Sequence, residues 1–217
     1  MSLKSKFFYL IFIFFFFSNT NSESYVNLFS FDNAGTFTST KSQRVTVSSY
    51  GYTDLIKGPG NLFISAEQGY KRRDNVNRWG LLVSTLSTDG KDDVYVVDTE
   101  RMTQNVTDNN NSYYRSPSIT ALNDSIYAIG YRGFSYDGFI ETFKVETSGK
   151  ITRLKSYEYD VNESNYNKLV RVDSNTVAMI YRGFKGQWGG HVLTFDIATD
   201  GSSITEVASK LLHNSGD

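Results

Sequence analysis

Segments in which side chains alternate between two faces recur along the second half of the chain. In residues 138–145, Phe139, Glu141 and Phe143 share one face, as the two-residue period of a strand requires. Residues 126–134 are apolar nearly throughout, which indicates a strand covered on both faces. Turn signals rich in Gly, Asn and Asp separate such segments. No window beyond residue 22 shows helical periodicity, so the pattern predicts an all-β protein.

The tetrapeptide YRGF occurs twice, at residues 131–134 and at residues 181–184. Similar blocks precede and follow it in both copies, and each copy contains a turn of the form Thr-x-Gly, at residues 147–149 and 199–201, followed by a last aligned block at 151–154 and 204–207. Because five blocks align in the same order, we interpret the two segments as copies of one internal repeat.

Weaker copies of the repeat lie earlier in the chain. Residues 62–70 align with residues 126–134, and Gln68 stands where the later copies have arginine. Residues 81–90 and residues 26–35 both resemble the block that ends in Thr-x-Gly. Each full unit therefore predicts four short antiparallel strands in about fifty residues, which is typical of a β-propeller blade.

The YAIGYRGF and VAMIYRGF strands, each followed by a Gly-led strand and a Thr-x-Gly hairpin, resemble blades of secreted β-propeller-like repeat proteins of microbes. The resemblance implies an array of four-stranded antiparallel blades. Named propeller families fit less well, because the WD dipeptide is missing and the Gly-Gly pair at 189–190 opens the third strand instead of following the second, as in kelch blades.

The predicted blades do not complete a ring. They lie at about 51–103, 113–160 and 166–213, after a half blade at 23–50, which makes 14 strands. Three and a half blades fall short of the four that a closed propeller typically needs. Three explanations stay open: a partial copy of a longer propeller, self-association of two chains that completes the ring, or an open β-domain.

The N-terminus predicts export. Lys4 and Lys6 precede an apolar run at 7–17, and a small, polar stretch follows at 18–22, which is the layout of a secretory signal peptide. The 11 apolar residues are too few to span a bilayer, which takes about 20. We therefore expect residues 1–22 to be a signal peptide and residues 23–217 to be secreted, as an extracellular or cell-surface protein.

Composition excludes several kinds of partner. The mature chain carries 20 basic and 23 acidic residues, and a net charge of 20 − 23 = −3 provides no electrostatic footprint for nucleic acid or anionic membranes. Cysteine is absent, which excludes disulfides and thiolate metal sites. No spacing predicts a metal or another cofactor. Four sequons predict glycosylation if the chain passes through a eukaryotic secretory pathway: Asn105, Asn110, Asn123 and Asn162.

The repeated YRGF lies where the second strand of a blade enters the loop to the third. A functional reading assigns Arg132 and Arg182 to a carboxylate or sulfate group and Tyr131 and Tyr181 to sugar stacking. In a structural reading the arginine bridges to the adjacent blade, the glycine supplies a special backbone angle and the phenylalanine caps the core. Recurrence favours the structural reading, because every blade has the same packing problem.

Loops that differ between blades are better candidates for specific binding. The loop at 71–79 is basic and ends in Trp79, and the Gly-rich loop at 185–190 contains Trp188. Aromatic rings beside cationic groups suit carbohydrate or protein ligands. The predicted function is therefore an extracellular binding or adhesion module for a glycan or a protein.

Catalytic constellations are sparse. Five carboxylates provide candidates for the pair that glycoside cleavage needs: Asp137, Glu141, Asp89, Asp92 and Asp93. His191 aligns with Phe139 inside a strand, so we interpret it as a packing residue. A propeller hydrolase and a structural surface-coat component remain as alternative functions.

Overall fold

The chain folds into antiparallel sheets whose strands are joined in sequence order. The computed structural model describes residues 8–16, 23–31, 37–46, 49–73, 76–88, 94–102 and 115–214. The strands are β1 (Phe8–Phe16), β2 (Glu23–Phe31), β3 (Phe37–Thr46), β4 (Ser49–Lys57), β5 (Leu62–Arg73), β6 (Val76–Thr88), β7 (Val94–Arg101), β8 (Arg115–Ala121), β9 (Ile126–Arg132), β10 (Gly138–Val145), β11 (Ile151–Asp160), β12 (Ser164–Arg171), β13 (Thr176–Phe184), β14 (Trp188–Ile197) and β15 (Ile204–Asn214). A short 3-10 turn, Phe134–Tyr136, lies between β9 and β10.

Three sheets have four strands each, in the orders β4-β5-β6-β7, β8-β9-β10-β11 and β12-β13-β14-β15, and we call them blades 1, 2 and 3. The first strands of consecutive blades contact each other, β4 with β8 and β8 with β12. The fourth strands do so as well, β7 with β11 and β11 with β15. The all-β prediction is confirmed, and no described helix is long and apolar enough to cross a membrane.

Burial follows the position of each blade in the stack. All seven residues of β9 are buried, whereas buried and more exposed residues alternate along most of β13, its equivalent in blade 3. Blade 2 has a neighbour on each face, so both faces of β9 must be apolar. Within the described part of the chain, blade 3 is covered on one face only, and the strand pattern there returns to a period of two.

Two apolar cores hold the blades together. The core between blades 1 and 2 contains Ile64, Leu81, Val83, Tyr127, Ile129 and Phe143, all at most 2% exposed. The core between blades 2 and 3 contains Ala128, Ile140, Val177, Met179, Leu193 and Phe195, all fully buried. Each core draws side chains from two consecutive blades, so most of the stabilising burial arises between blades.

A threonine in the third strand links each blade to the next. The Thr85 hydroxyl of blade 1 donates a hydrogen bond to the Gly149 carbonyl of blade 2 at 2.6 Å. Thr142 of blade 2 makes the same bond with Gly201 of blade 3, also at 2.6 Å. The pairing between third and fourth strands shifts register directly after each threonine, at a β-bulge. Both glycines have positive φ, 91° and 75°, so the hairpin turn that presents the carbonyl requires glycine.

The first strands are linked by a second repeated bond. In blade 1 the Asp54 carboxylate accepts the backbone N–H of Ile119, at 2.7 Å. In blade 2 the equivalent Ser118 hydroxyl accepts the N–H of Leu169, at 3.1 Å. The equivalent residue of blade 3 is Lys168, whose side chain has no acceptor atom.

The N-terminal sheet has three strands, in the order β1-β2-β3. Its register shift after Leu28 matches those after the inter-blade threonines, which identifies β2 and β3 as third and fourth strands. Strand β1 therefore occupies the position of a second strand, where the sequence predicted only a half blade, and among the described residues no first strand pairs with this sheet. Strand β1 coincides with the apolar run of the predicted signal peptide, whose removal remains a prediction.

Replacing Thr142 with valine should destabilise the protein by about 1–3 kcal/mol, because the buried Gly201 carbonyl would lose its hydrogen-bond donor while the side-chain volume stays nearly constant. Urea denaturation of Thr142→Val and wild type measures the difference. Thr152→Val, at an exposed strand position, is the matched control and should change stability by less than about 0.5 kcal/mol. Equal stability of Thr142→Val and the control would contradict the role of this bond.

Candidate functional site

The loops between second and third strands emerge at the same end of the blades as the connections between blades. In blades 2 and 3 this end, which we call the loop end, comprises residues 133–137, 161–163 and 185–187. Residues of the YRGF motifs and the candidate carboxylate Asp137 lie here. The loop end is therefore where the sequence-based site predictions can be compared with the geometry.

Arg132 bridges blades 2 and 3. Its side chain is 5% exposed, and Nη1 donates a hydrogen bond to Asn165 Oδ1 at 2.6 Å. Its guanidinium also lies over the Tyr136 ring, 4.0 Å from the ring centre. Asn165 belongs to β12 of the next blade, so the contact is of the inter-blade kind that the structural reading expects. Arg182, on the uncovered face of blade 3, is exposed.

The two motif tyrosines are buried, at 1% exposure for Tyr131 and 3% for Tyr181. Tyr131 donates a hydrogen bond to the Glu141 carboxylate and stacks on Phe139. Tyr181 donates to Asp160 Oδ2 at 2.9 Å, and burial raises the pKa of its hydroxyl, which therefore stays a donor. Both rings are thus covered by neighbouring side chains.

The motif glycines are needed for close approach, not for a special backbone angle. Neither Gly133 nor Gly183 has a positive φ, which corrects the expectation from the sequence. A Cβ atom on Gly183 would overlap the carbonyl oxygen of Glu163, and one on Gly133 would lie within 2.6 Å of the Phe139 ring. The connection between blades passes so close to β13 that only glycine fits.

The remaining candidates are two tryptophans and four sequon asparagines. Trp188 is 40% exposed and packs edge-on against Phe184, with ring centres 5.5 Å apart. Asn123 and Asn162 are exposed, and their side-chain amides donate to the carbonyls of Thr199 and Phe184. The Trp79 side chain, Asn105 and Asn110 lie outside the described residues. Glycosylation and a ligand at Trp188 remain predictions.

The carboxylates form two separate groups. Asp137 interacts with Glu158 and Asp160, and burial together with these two negative charges raises its pKa to about 6. Glu141 belongs to another group, in which Arg153 Nη2 donates to it at 3.1 Å and Tyr131 also donates. Burial raises the pKa of Glu141 even though Arg153 opposes this effect. The structure thus groups Asp137 with Glu158, which the sequence did not single out.

The last residues that the sequence analysis considered for catalysis are His191 and the three aspartates of the turn at 89–93. His191 is 3% exposed, stacks on Tyr181 and has its Nε2 3.0 Å from the Gln187 carbonyl oxygen, so it is packed inside blade 3. Asp89, Asp92 and Asp93 lie outside the described residues. Where side chains are described, no three His, Asp or Glu residues converge in the way that a metal ion requires.

A cavity lies where the first strands of the three blades begin. It has a volume of about 230 Å³, and we call it the axial cavity. Its lining comes from β4, β8 and β12: Thr53, Ser116, Pro117, Tyr166, Asn167 and Lys168. A larger depression of about 780 Å³ lies at the opposite end, between hairpin turns of blades 1 and 2 that include Asn123.

The backbone at the axial cavity is strained at two equivalent positions. Ser116 and Tyr166 have φ values of 53° and 57°, in the left-handed region that residues with a Cβ rarely adopt. Both lie at register shifts near the starts of β8 and β12. Such strain persists only where the surrounding structure fixes it, and it often accompanies functional sites. The shift leaves the Tyr166 side chain 61% exposed at the cavity.

Asn167 is the least satisfied polar residue of the axial cavity. It is 2% exposed, and its Oδ1 accepts hydrogen bonds from Tyr159 at 2.6 Å and Ser164 at 2.8 Å. Burial raises the pKa of Tyr159, whose hydroxyl therefore stays protonated. The Nδ2 atom of Asn167 has no hydrogen-bond partner within the described part of the chain.

Sequence reasoning did not single out Tyr166, Asn167 or Lys168. The repeat alignment nevertheless contains a signal, because the strand starts read Ser116-Pro-Ser118 in blade 2 and Tyr166-Asn-Lys168 in blade 3. Positions that differ between equivalent strands are candidates for specific binding. The alignment alone could not show that these strand starts meet at one cavity.

Comparisons with known proteins establish the fold but no family. No protein-family model and no curated protein matches the chain. It is similar to a protein of Lactobacillus plantarum (TM-score 0.60, 9% identity, 92% of this chain and 55% of that one). It is also similar to a GH32 β-fructofuranosidase of Bombyx mori (TM-score 0.52, 10% identity, 95% of this chain and 47% of that one).

Both structures have propeller folds, so the predicted propeller-like fold class is confirmed. The chain spans about half the length of each of these structures. No family model supports the repeat motif itself.

Replacing Asp137 with asparagine should stabilise the protein at pH 7.5 and leave it nearly unchanged at pH 3.5. The folded-state pKa of about 6 lies above the ordinary 3.8, so the folded state binds the proton more tightly, and stability falls as pH rises between these values. Because Asp137 is only partly buried, solvent screening keeps the gain below about 1 kcal/mol.

Urea denaturation of both proteins across this pH range measures the effect. Glu158→Gln relieves the same repulsion, so the gains of the two substitutions should not add. A gain of equal size at both pH values would show that the pKa of Asp137 is not raised.

Proposed function

We propose that the protein is an extracellular binding module whose axial cavity takes one sugar unit of a glycan. The observation that carries the proposal is the buried amide of Asn167, which lines the cavity and has an unpartnered Nδ2. Extracellular action rests on the predicted signal peptide. Small-molecule sites are usually concave and largely preformed, and the axial cavity is a concavity of this kind where three strands meet.

The unpartnered amide favours a hydroxyl-bearing ligand over an ion. A buried polar group without a partner costs about 1–3 kcal/mol, which a ligand atom can offset. If the amide of Asn167 is turned around, Nδ2 faces the two hydroxyl oxygens and Oδ1 becomes the unpartnered atom. A sugar hydroxyl both donates and accepts, so it satisfies either orientation, whereas a cation or an anion satisfies only one.

The other residues that line the cavity suit a carbohydrate. Tyr166 offers an exposed aromatic face against which the C–H face of a sugar ring can pack. Lys168 and Ser116 add polar groups beside it. A volume of about 230 Å³ is below the usual 300–1,000 Å³ of drug-sized sites, so the cavity fits one terminal unit rather than a chain.

A hydrolase is the second candidate, and Asp137 is the observation that favours it. A carboxylic acid with a pKa of about 6 beside the Glu158 carboxylate resembles the acid and base of glycoside cleavage. The similar structure from Bombyx mori is a β-fructofuranosidase by name, although 10% identity shows only the fold. Turnover of an oligosaccharide by wild type but not by Asp137→Asn would favour this candidate over simple binding.

Replacing Tyr166 with glycine should abolish glycan binding while the fold is retained or stabilised. Glycine adopts the φ of 57° without steric cost, so stability should equal or exceed wild type by up to about 1 kcal/mol. The lost aromatic face should weaken binding at least tenfold, about 1.4 kcal/mol. A glycan array, followed by titration calorimetry with a glycan it identifies, measures binding, and thermal unfolding measures stability.

Two further variants test the location of the site. Tyr166→Phe keeps the aromatic face and should bind like wild type. Trp188→Ala should leave binding unchanged if the ligand lies in the axial cavity, and it should abolish binding if the predicted site at Trp188 is correct. A wild-type array without hits, or unchanged binding by Tyr166→Gly, would refute the axial site.

A further inference from the structure

The depression of about 780 Å³ between blades 1 and 2 is a second concave site, and we call it the hairpin cleft. Its walls are the turn between β4 and β5 (57–60), the turn between β8 and β9 with the start of β9 (121–127), and the end of β10 with the turn after it (144–147). Its volume lies within the range of roughly 300–1,000 Å³ that is usual for small-molecule sites. The cleft is therefore large enough for a ligand of several heavy-atom groups.

A hydrogen bond that bridges the equivalent gap between blades 2 and 3 has no counterpart at the hairpin cleft. There the Asn123 side chain donates to the Thr199 carbonyl oxygen at 2.8 Å. The equivalent residues one blade earlier are Pro59, which like Asn123 lies three residues before a second strand, and Thr147, which like Thr199 lies two residues before a turn glycine. Proline has no side-chain donor, so this bond cannot form and the two turns are not bridged in this way.

Tyr127 adds a hydroxyl group to the cleft. The side chain is 2% exposed, and its ring packs in the core between blades 1 and 2. The hydroxyl donates to the Asp124 carbonyl oxygen at 3.5 Å, which is longer than the about 2.5–3.0 Å of an ordinary bond of this kind. Burial and the Asp124 carboxylate raise the pKa of Tyr127, so its hydroxyl stays protonated and can donate to a ligand. The equivalent residue of blade 3 is the apolar Val177.

Four charged side chains surround the cleft, two of each sign: Lys57, Lys144, Asp124 and Glu146. Within the described residues none of the four forms an ion pair, and Lys144 and Asp124 are exposed. Equal numbers of cations and anions favour neither a polyanion nor a polycation as the ligand. They instead suit a ligand that carries an ammonium and a carboxylate group of its own.

We propose that the hairpin cleft binds a short peptide with free ends. A peptide unit supplies an N–H for the Thr147 carbonyl oxygen, which lacks the donor that Thr199 has, and a carbonyl oxygen for the Tyr127 hydroxyl. The terminal ammonium pairs with the two carboxylates of the cleft, and the terminal carboxylate pairs with the two lysines. A free amino acid has both charges but no peptide unit, and a neutral sugar has neither charge. The site is separate from the axial cavity and does not depend on the proposed glycan.

Ligand-observed NMR with a mixture of free tripeptides tests binding to the wild-type protein. Titration calorimetry with a tripeptide that binds then measures the affinity. The matched control is the same tripeptide acetylated at its N-terminus and amidated at its C-terminus. We expect the free tripeptide to bind at least tenfold more tightly than the blocked one, because blocking removes both of its charges.

Three substitutions locate the peptide in the cleft. Tyr127→Phe removes the hydroxyl but keeps the ring that stacks on Phe143, so the fold should be retained while the affinity for the free tripeptide falls at least tenfold. Lys144→Gln should weaken binding of the free tripeptide and leave binding of the blocked one unchanged. Lys150→Gln is the matched control, since Lys150 is an exposed lysine close to Lys144 that does not line the cleft, and it should bind like wild type.

A variant of the axial cavity separates this proposal from the glycan site. Tyr166→Gly alters only the lining of the axial cavity, so it should bind the free tripeptide like wild type.

Three results would overturn the proposal. They are a wild-type protein that binds no free tripeptide, equal affinity for the free and the blocked tripeptide, or binding by Tyr127→Phe and Lys144→Gln that equals that of Lys150→Gln. Thermal unfolding of every variant distinguishes loss of binding from loss of folding. If the Tyr127→Phe chain did not fold, the substitution at the exposed Lys144 would decide.

Discussion

The structure depends on one constraint: a four-stranded sheet with apolar residues on both faces is stable only when another sheet covers each face. Burial along β9 and β13 shows this directly, since the same repeat is covered on two faces in blade 2 and on one face in blade 3. The two apolar cores, the threonine bonds and the bonds between first strands all lie between blades. Stability is therefore shared between neighbours, as in other repeat proteins.

The same constraint explains why the most conspicuous motif is structural in blade 2. Arg132 Nη1 donates a hydrogen bond to Asn165 of the next blade, and the Tyr131 hydroxyl donates one to Glu141. Gly183 allows the connection between blades to approach β13, and Gly133 makes room for the Phe139 ring of its own blade. The unpartnered Nδ2 atom of Asn167 lies elsewhere, near the start of a first strand. There the register shift that brings three strands together also places Tyr166 in a strained conformation beside an unpartnered amide.

The fold could be predicted from the sequence because its determinants are local and repeated. A two-residue period, turn glycines and a fifty-residue repeat are sufficient to indicate four-stranded units. The site could not be predicted in the same way. Asp137 lies in the loop between β9 and β10, whereas Glu158 lies in β11, so the pair is not adjacent in the sequence. The axial cavity is lined by residues of three strands, β4, β8 and β12. The local pattern also suggested a special backbone angle at Gly133 and Gly183, which is wrong. Glycine is needed there because a side chain would overlap the Phe139 ring or the Glu163 carbonyl, which only the folded structure shows.

Departures from the repeat are more informative about function than the repeat itself. Where blades 1 and 2 have Asp54 and Ser118, which hold the next first strand, blade 3 has Lys168, which lines the axial cavity. The lysine at this one position of the repeat therefore removes an inter-blade hydrogen-bond acceptor and adds a polar group to the cavity. Thr194 of β14 directly precedes the same register shift as Thr85 and Thr142, so blade 3 keeps the hydroxyl donor of the third-strand link although it lacks the acceptor of the first-strand link.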